Sequence, residues 1–223
     1  MTITQLVDSL AIKFEREEDN AFRLILRDDI LVARSAVIKQ LAQNSNPISP
    51  ILFQTVDCFK VTKVTDNDCG KGNYIFRTIE KIPRPIILSS GFVYLTIFST
   101  YKNKRVSINL IRPEQVELFK YNRFTNSLPF GVYENEYLYF GNAEGLEYVS
   151  FSILAENPFT VSELNNFENS CCENCKVVES NCFDDAGDLI IEDSLVTQIK
   201  IIIFNEYNRK YSTEEIKVQE LSS

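Results

Sequence analysis

Apolar residues recur at helical spacing near both ends of the chain. In residues 2–14 they fall at steps of three and four, with Thr2 or Thr4 as candidate N-caps. The same periodicity predicts a second helix over about 26–43 and a closing helix over 194–208. These stretches predict helices that each bury one face.

Residues between these helices favour β structure, because Val, Ile, Thr, Phe and Tyr alternate with polar residues and are interrupted by turn residues. The predicted strands are 52–64, 74–79, 86–89, 92–99, 105–111, 131–134, 137–140 and 147–155. The turn at 101–105 predicts one hairpin, and the turn GNAEG at 141–145 predicts another. Pro113 predicts the start of a short helix over about 113–120.

The order of elements predicts an α+β fold, a helical bundle of two N-terminal helices plus a C-terminal helix with a large inserted β-rich lobe. The second helix is expected to pack against the C-terminal helix, with Val37 and Ile203 on the apolar stripes. One structural domain overall is expected. Its segments are the N-terminal helices (1–50), the β-rich insertion (51–156), a Cys-rich acidic loop (157–190), and the C-terminal helix with a charged, frayed tail (191–223).

Composition narrows the possible chemistry. The 223 residues include no His, which excludes Ser–His–Asp and Cys–His catalysis and His-ligated metals. A net charge of −8 disfavours sequence-specific nucleic-acid binding but suits a passage through which DNA slides without sticking. Neither a transmembrane helix nor a secretory signal is predicted.

Four of the six cysteines fall within twelve residues of sequence, and three hypotheses describe their chemical state: zinc ligands, disulfides or free thiols. These four are Cys171, Cys172, Cys175 and Cys182, and the others are Cys58 and Cys69. A four-Cys zinc site would need a second Cys pair, such as Cys182 with Cys58 or Cys69. Disulfides are the second hypothesis. We favour free thiols, because the surrounding carboxylates raise thiol pKa values and disfavour the thiolate that a metal needs.

Other motifs carry weaker signals. Asp184, Asp185 and Asp188 with Gly187 lack the spacing of a calcium loop, and Gly70-Lys71-Gly72 lacks the spacer of a P-loop. We interpret both as turns. The strand pattern predicts that Tyr133, Tyr137 and Tyr139 share one face, which is either a half-buried sheet face or a contact surface. No catalytic, cofactor-binding or metal-binding residue is assigned.

Three segments carry a resemblance to a known family. They are residues 19–44, which include Arg34, residues 49–64, which include Cys58, and residues 156–164. The acidic CCENC segment and a terminal helix follow in the same order. The chain resembles the ring, or head-to-tail connector (adaptor), structural proteins of crAss-like short-tailed bacteriophages.

The resemblance implies a non-enzymatic virion protein of the tail or neck, made in the host bacterial cytoplasm. Proteins of this kind form a twelve-fold homo-oligomeric ring that contacts the portal protein and other tail, ring or tail-fibre proteins. DNA passes through without sequence-specific binding, and no membrane or cofactor is involved. The alternative is a carbohydrate- or receptor-binding accessory module of a virion that uses the tyrosine-bearing β lobe. We expect the isolated chain to be a monomer or weak oligomer that becomes fully ordered only in an assembly.

Overall fold

The computed structural model describes residues 1–44, 46–64, 74–88, 95–101, 104–166 and 188–221. Its contacts divide the chain into two compact units. A helical unit combines Met1–Ile48 with Cys182–Ser223, and a barrel unit comprises Ser49–Asn181. Each unit has its own buried interior.

The described part of the chain contains helices and strands with these bounds. The helices are α1 (Ile3–Lys13), α2 (Asn20–Gln43), α3 (Val116–Tyr121), α4 (Pro158–Asn166) and α5 (Asp193–Leu221). The strands are β1 (Gln54–Lys63), β2 (Phe76–Thr78), β3 (Leu95–Tyr101), β4 (Lys104–Ile111), β5 (Phe130–Glu134), β6 (Tyr137–Gly141) and β7 (Tyr148–Ile153). Short 3-10 turns occupy Pro50–Leu52 and Pro113–Gln115.

The helical unit is built around α2, which contacts both α1 and α5. The predicted contact between the second helix and the C-terminal helix is therefore confirmed, and both Val37 and Ile203 are fully buried. Phe14, Phe22 and Tyr207 form an aromatic cluster with ring centroids 4.9–5.9 Å apart. The Tyr207 hydroxyl also donates to Asp29 Oδ2 at 3.0 Å. Apolar packing with a few polar links thus holds the three helices together.

Hydrogen bonds at the helix ends explain where α1 and α2 begin. Thr2, one of the two N-cap candidates Thr2 and Thr4, caps α1 by accepting from the Gln5 backbone N–H. Asp19 caps α2 by accepting from the Phe22 N–H at 3.0 Å. The predicted start of the second helix at 26 is wrong by six residues, because the charged stretch before it supplies this cap.

The barrel unit is a closed sheet of seven strands in the order β1-β2-β6-β5-β4-β3-β7. Neighbouring strands are antiparallel except β4 and β5, which run parallel. Large apolar side chains fill the interior, among them Ile97, Ile108, Phe140 and Phe151. Ile82 joins the same core from the segment between β2 and β3. This segment is held by Ile82 N–H donating to Glu136 O at 2.7 Å.

The predicted fold class, a helical bundle with an inserted β-rich lobe, is wrong, because the strands close into a barrel. Alternation along a strand shows which face is apolar, but it does not show which strands become neighbours. Closure here depends on pairing between distant segments, such as Gln54 with Ile153 in β1 and β7. It also depends on the parallel contact of β4 with β5, which α3 connects.

Several local predictions also differ from the structure. The predicted hairpin at 101–105 is confirmed as β3–β4. The second predicted hairpin, at 141–145, is wrong. β6 pairs with β5 and β2, whereas β7 pairs with β1 and β3. Residues 86–88 form no named strand, although Pro85 makes an isolated bridge with Ala155. α4 occupies the start of the predicted loop, and α5 continues to Leu221 rather than ending at 208.

Candidate assembly surfaces

The cysteine cluster lies outside the described residues, as do Cys69, Gly70-Lys71-Gly72, Asp184, Asp185 and Gly187. The preference for free thiols therefore stays a prediction. Cys58 belongs to β1. Across the ranges that the structure describes, no three His, Cys, Asp or Glu side chains come together as metal ligands would. No helix in those ranges has the length and apolar character that crossing a membrane requires.

Asp188 has a structural role at the beginning of α1. Its Oδ2 accepts from the Thr4 backbone N–H at 3.2 Å. Burial raises the pKa of Asp188, but hydrogen bonds from Thr2 and Thr4 outweigh this effect and lower it overall. Beside it, Ile3 N–H donates to Leu189 O at 2.8 Å. A carboxylate at a helix N-terminus is favourable, so Asp188 helps to fix the start of the chain.

The predicted shared face of the three tyrosines is wrong. Tyr133 of β5 lies directly opposite Leu138 of β6, so these two residues share a face of the sheet. Tyr137 and Tyr139 occupy the other face, where Tyr139 is only 5% exposed. Burial, with Glu136 adding to it, raises the pKa of Tyr133 to about 12. These residues therefore do not form the open aromatic platform that the carbohydrate-binding alternative required.

A charged cleft of about 430 Å³ in the barrel unit is lined by Lys81, Arg84 and Glu136, among others. Glu136 accepts from Lys81 Nζ at 2.7 Å and from Arg84 Nε at 2.5 Å. These two hydrogen bonds lower the pKa of Glu136 and raise the pKa values of both cations. Glu136 and Asn135 have positive φ angles of 68° and 52° in the β5–β6 turn. The ion pairs therefore brace a strained turn, which is a structural use of this cluster.

Among the described residues of the barrel unit, the most exposed large apolar side chains lie on and just after α3. Leu118, Tyr121 and Phe124 are 74%, 84% and 71% exposed. We call these three residues the α3 tip. Single exposed apolar residues are ordinary on protein surfaces, but three large ones within seven residues of sequence indicate a contact surface.

The opposite side of α3 attaches this segment to the barrel. Val116 is buried against Phe130 and Val132 on the outer face of β5. The Phe119 ring also packs against Phe130, with their centroids 5.3 Å apart. Tyr74 joins the same cluster, and burial together with Glu134 and Tyr139 raises its pKa to about 12. An apolar cluster thus lies beneath the α3 tip.

Hydrogen bonds hold the turn that follows α3. Thr125 Oγ1 donates to Phe119 O at 2.7 Å, and Phe124 N–H donates to Asn122 Oδ1 at 2.9 Å. Asn142, at the end of β6, donates from Nδ2 to Asn126 O at 2.7 Å and to Leu128 O at 3.3 Å. Asn142 itself has a φ of 53°, a conformation that Asn adopts more readily than most residues. The turn that carries Phe124 is therefore held in one arrangement.

A second exposed apolar surface belongs to the helical unit. Leu24 and Val32 lie on one side of α2 and are 64% and 68% exposed, with Ile25 beside them. The exposed carboxylate of Asp28 lies between them on the same side. We call Leu24, Ile25 and Val32 the α2 face. Arg34, by contrast, is 2% exposed within the same helix.

Comparison with known families shows which kind of protein carries these surfaces. Residues 6–219 match the family described as phage tail ring protein 2. The chain belongs to this family. The resemblance to ring proteins of crAss-like phages is thereby confirmed over nearly the whole length. A search of the curated proteins found no match.

Membership makes the ring protein a structural component of a phage tail and hence of the virion. A tail ring implies contacts with further copies and with other tail proteins, and it agrees with a non-enzymatic role. Sequence reasoning missed the surface that fits such contacts best. One signal was available: the predicted helix at 113–120 carries apolar residues on two sides, Val116 and Phe119 on one and Leu118 on another. One side attaches the helix to its own fold, and the other remains exposed.

Proposed function

We propose that the ring protein forms a homo-oligomeric ring of twelve copies in the portal–tail connector of a short-tailed phage and serves as a conduit for DNA. The observation that carries this proposal is the family match over residues 6–219. The copy number and the position in the connector come from the resemblance to adaptor proteins. We further propose that the ring contacts the portal protein and other tail, ring or tail-fibre proteins.

The exposed apolar surfaces support assembly into a closed ring. Subunits of a cyclic ring with more than two members meet head to tail, so each copy needs two different contact surfaces. The α3 tip and the α2 face are two such surfaces on separate compact units. One of them alone would suit a two-fold dimer, in which the same surface meets itself.

The charge of the chain supports the role of a passage for DNA. A net charge of −8 repels phosphate and weakens the nonspecific attachment that Lys and Arg patches produce. DNA could therefore slide past such a ring with little retention. We expect the full chain to show no sequence-specific DNA binding in a mobility-shift assay at moderate salt.

Imaging of purified virions tests the proposed location and symmetry. A gold label on the ring protein should mark the neck or tail below the portal, and class averages of tails should show a twelve-fold ring with an open centre. Label on the capsid or on fibre tips would contradict the connector position. A different rotational symmetry at the labelled ring would contradict the copy number alone.

A further inference from the structure

We propose that the α3 tip is the surface through which one copy of the ring protein docks onto a second copy. This inference rests on the proposed ring assembly and adds to it the residues that make the contact. Leu118, Tyr121 and Phe124 would supply the apolar part of the interface, while Lys120 and Arg123 would supply its charge.

The first argument is the cost of leaving such residues in water. Each tip side chain is more than 70% exposed, yet its neighbours Val116 and Phe119 are drawn into the cluster on β5. The segment therefore has an inner apolar side that its own fold covers and an outer apolar side that it does not. Tyr is enriched in the cores of protein interfaces, where a ring buries apolar area while its hydroxyl keeps a polar partner.

The second argument is pre-organisation. The Asn142 amide and the Thr125 hydroxyl hold the turn after α3, and the Phe119–Phe130 contact holds α3 itself. A surface that is already ordered loses less conformational entropy when it binds. The tip thus has the properties of a docking element.

The third argument identifies a second copy as the occupant. Residues 117–124 contain two cations, Lys120 and Arg123, and one carboxylate, Glu117, so this segment is net positive in a net negative chain. The whole chain carries a net charge of −8, so carboxylates outnumber cations on another copy. The Arg123 guanidinium lies 4.5 Å from the Phe124 ring centroid, which places charge and apolar area side by side. An apolar surface with a basic edge would pair favourably with carboxylates on a neighbouring ring protein.

A photocrosslinking residue at Tyr121 tests this contact directly. The full-length protein would carry p-benzoylphenylalanine at position 121 and would be irradiated at high concentration. We expect a covalent dimer whose second peptide comes from outside the tip, because a head-to-tail contact joins two different surfaces. The control places the same residue at Lys60, an exposed position on β1, and should give little dimer. A tip-to-tip crosslink, or equal yields at the two positions, would overturn the proposal.

Substitutions measure how much the contact contributes. The triple variant Leu118→Gln, Tyr121→Gln, Phe124→Gln should weaken self-association by about tenfold or more in sedimentation equilibrium. Its thermal unfolding should stay close to that of the parent, because these side chains are exposed. The double variant Lys120→Glu, Arg123→Glu should also weaken self-association. Its effect should be larger at low salt than at high salt, because salt screens charges. Unchanged association in both variants would refute the inference.

The outcomes separate this inference from the proposed function. Rings that form normally from the triple variant would exclude the tip while leaving the ring role intact. A parent protein that forms no ring in the virion would remove the proposed function itself. Capture of DNA by the parent, lost in the Lys120 and Arg123 variant, would contradict the docking proposal by giving the tip a nucleic-acid partner.

Discussion

The α3 tip and the α2 face are both exposed and apolar, but their support differs. The α2 face is the outer side of a 24-residue helix whose inner side forms the core of the helical unit. The tip stands on a six-residue helix that an aromatic cluster and a set of side-chain hydrogen bonds attach to the barrel. A helix side stays exposed wherever nothing packs on it, whereas the tip needs dedicated contacts to hold it in place. This difference points to the tip as the more specialised surface.

The largest expected effect separates the two sides of α2. Val37→Asp would bury an unpaired charge and should destabilise the helical unit by about 3–5 kcal/mol. Val32→Asp, on the exposed side of the same helix, should change stability by no more than about 0.5 kcal/mol. Denaturant unfolding followed by circular dichroism measures both. Equal losses would mean that the α2 face is not exposed in solution.

The second prediction concerns Phe130, the ring of β5 that supports α3. Gly141 lies opposite Phe130 across β5 and β6, and a Cβ on Gly141 would overlap the Phe130 ring. Gly141→Ala should cost about 1–3 kcal/mol and displace the ring against which Phe119 packs. Thermal unfolding gives the loss, and the dimer yield from the Tyr121 photocrosslink should fall with it.

The matched control for this change is Gly131→Ala. A Cβ at Gly131 would come within 2.9 Å of Ile97 Cδ1, the movable end of a side chain. We expect a smaller loss of stability because Ile97 can shift. A loss at Gly131 that equals or exceeds the loss at Gly141 would contradict the supporting role of Phe130.

The third prediction loosens the tip without altering its apolar residues. Asn142→Gly keeps a residue that accepts the positive φ but removes both hydrogen bonds to the turn. The loss of stability should be about 1 kcal/mol, and self-association should weaken. Asn135→Gly, the same change at another positive-φ position, should leave association unchanged. Weakening by both variants would show that the effect is general.

The smallest effect is a pH dependence at the ion pairs of Glu136 in the barrel unit. Because the pKa of Glu136 is lowered in the folded chain, its ion pairs stabilise the fold above its ordinary pKa of 4.5, and this contribution is lost as pH falls through the folded value. Glu136→Gln should therefore lower the melting temperature slightly at about pH 7, and the difference should shrink as the pH falls below 4.5. A difference that persists in acid would assign the effect to packing.

The helical core was more predictable than the barrel. Val37 and Ile203 could be placed on buried stripes because a helix brings residues three and four apart onto one face. The β3–β4 hairpin followed in the same way from a short turn. By contrast, β6 and β7 are close in sequence but each pairs elsewhere, and β4–β5 is parallel across α3. Such pairings depend on contacts between distant segments, which a local pattern does not contain.

The exposed surfaces were harder to predict than the elements that carry them. The helix at 113–120 was expected, and the structure has a 3-10 turn at Pro113–Gln115 followed by α3. Its exposed side could not be deduced, because apolar residues such as Leu118 normally indicate a buried face. The structure shows Val116 against β5 on one side, and Leu118 and Tyr121 exposed on the other.

Oxidative footprinting of the native protein tests the docking role of the α3 tip most directly. Hydroxyl radicals modify exposed aromatic side chains, so oxidation at Tyr121 and Phe124 would be compared between the free chain and the assembled virion tail. Tyr139, which is buried in the barrel unit, provides the internal control. We expect both tip residues to be oxidised readily in the free chain and protected in the tail, with Tyr139 protected in both. Equal oxidation of Tyr121 and Phe124 in the two states would contradict a tip that docks on assembly.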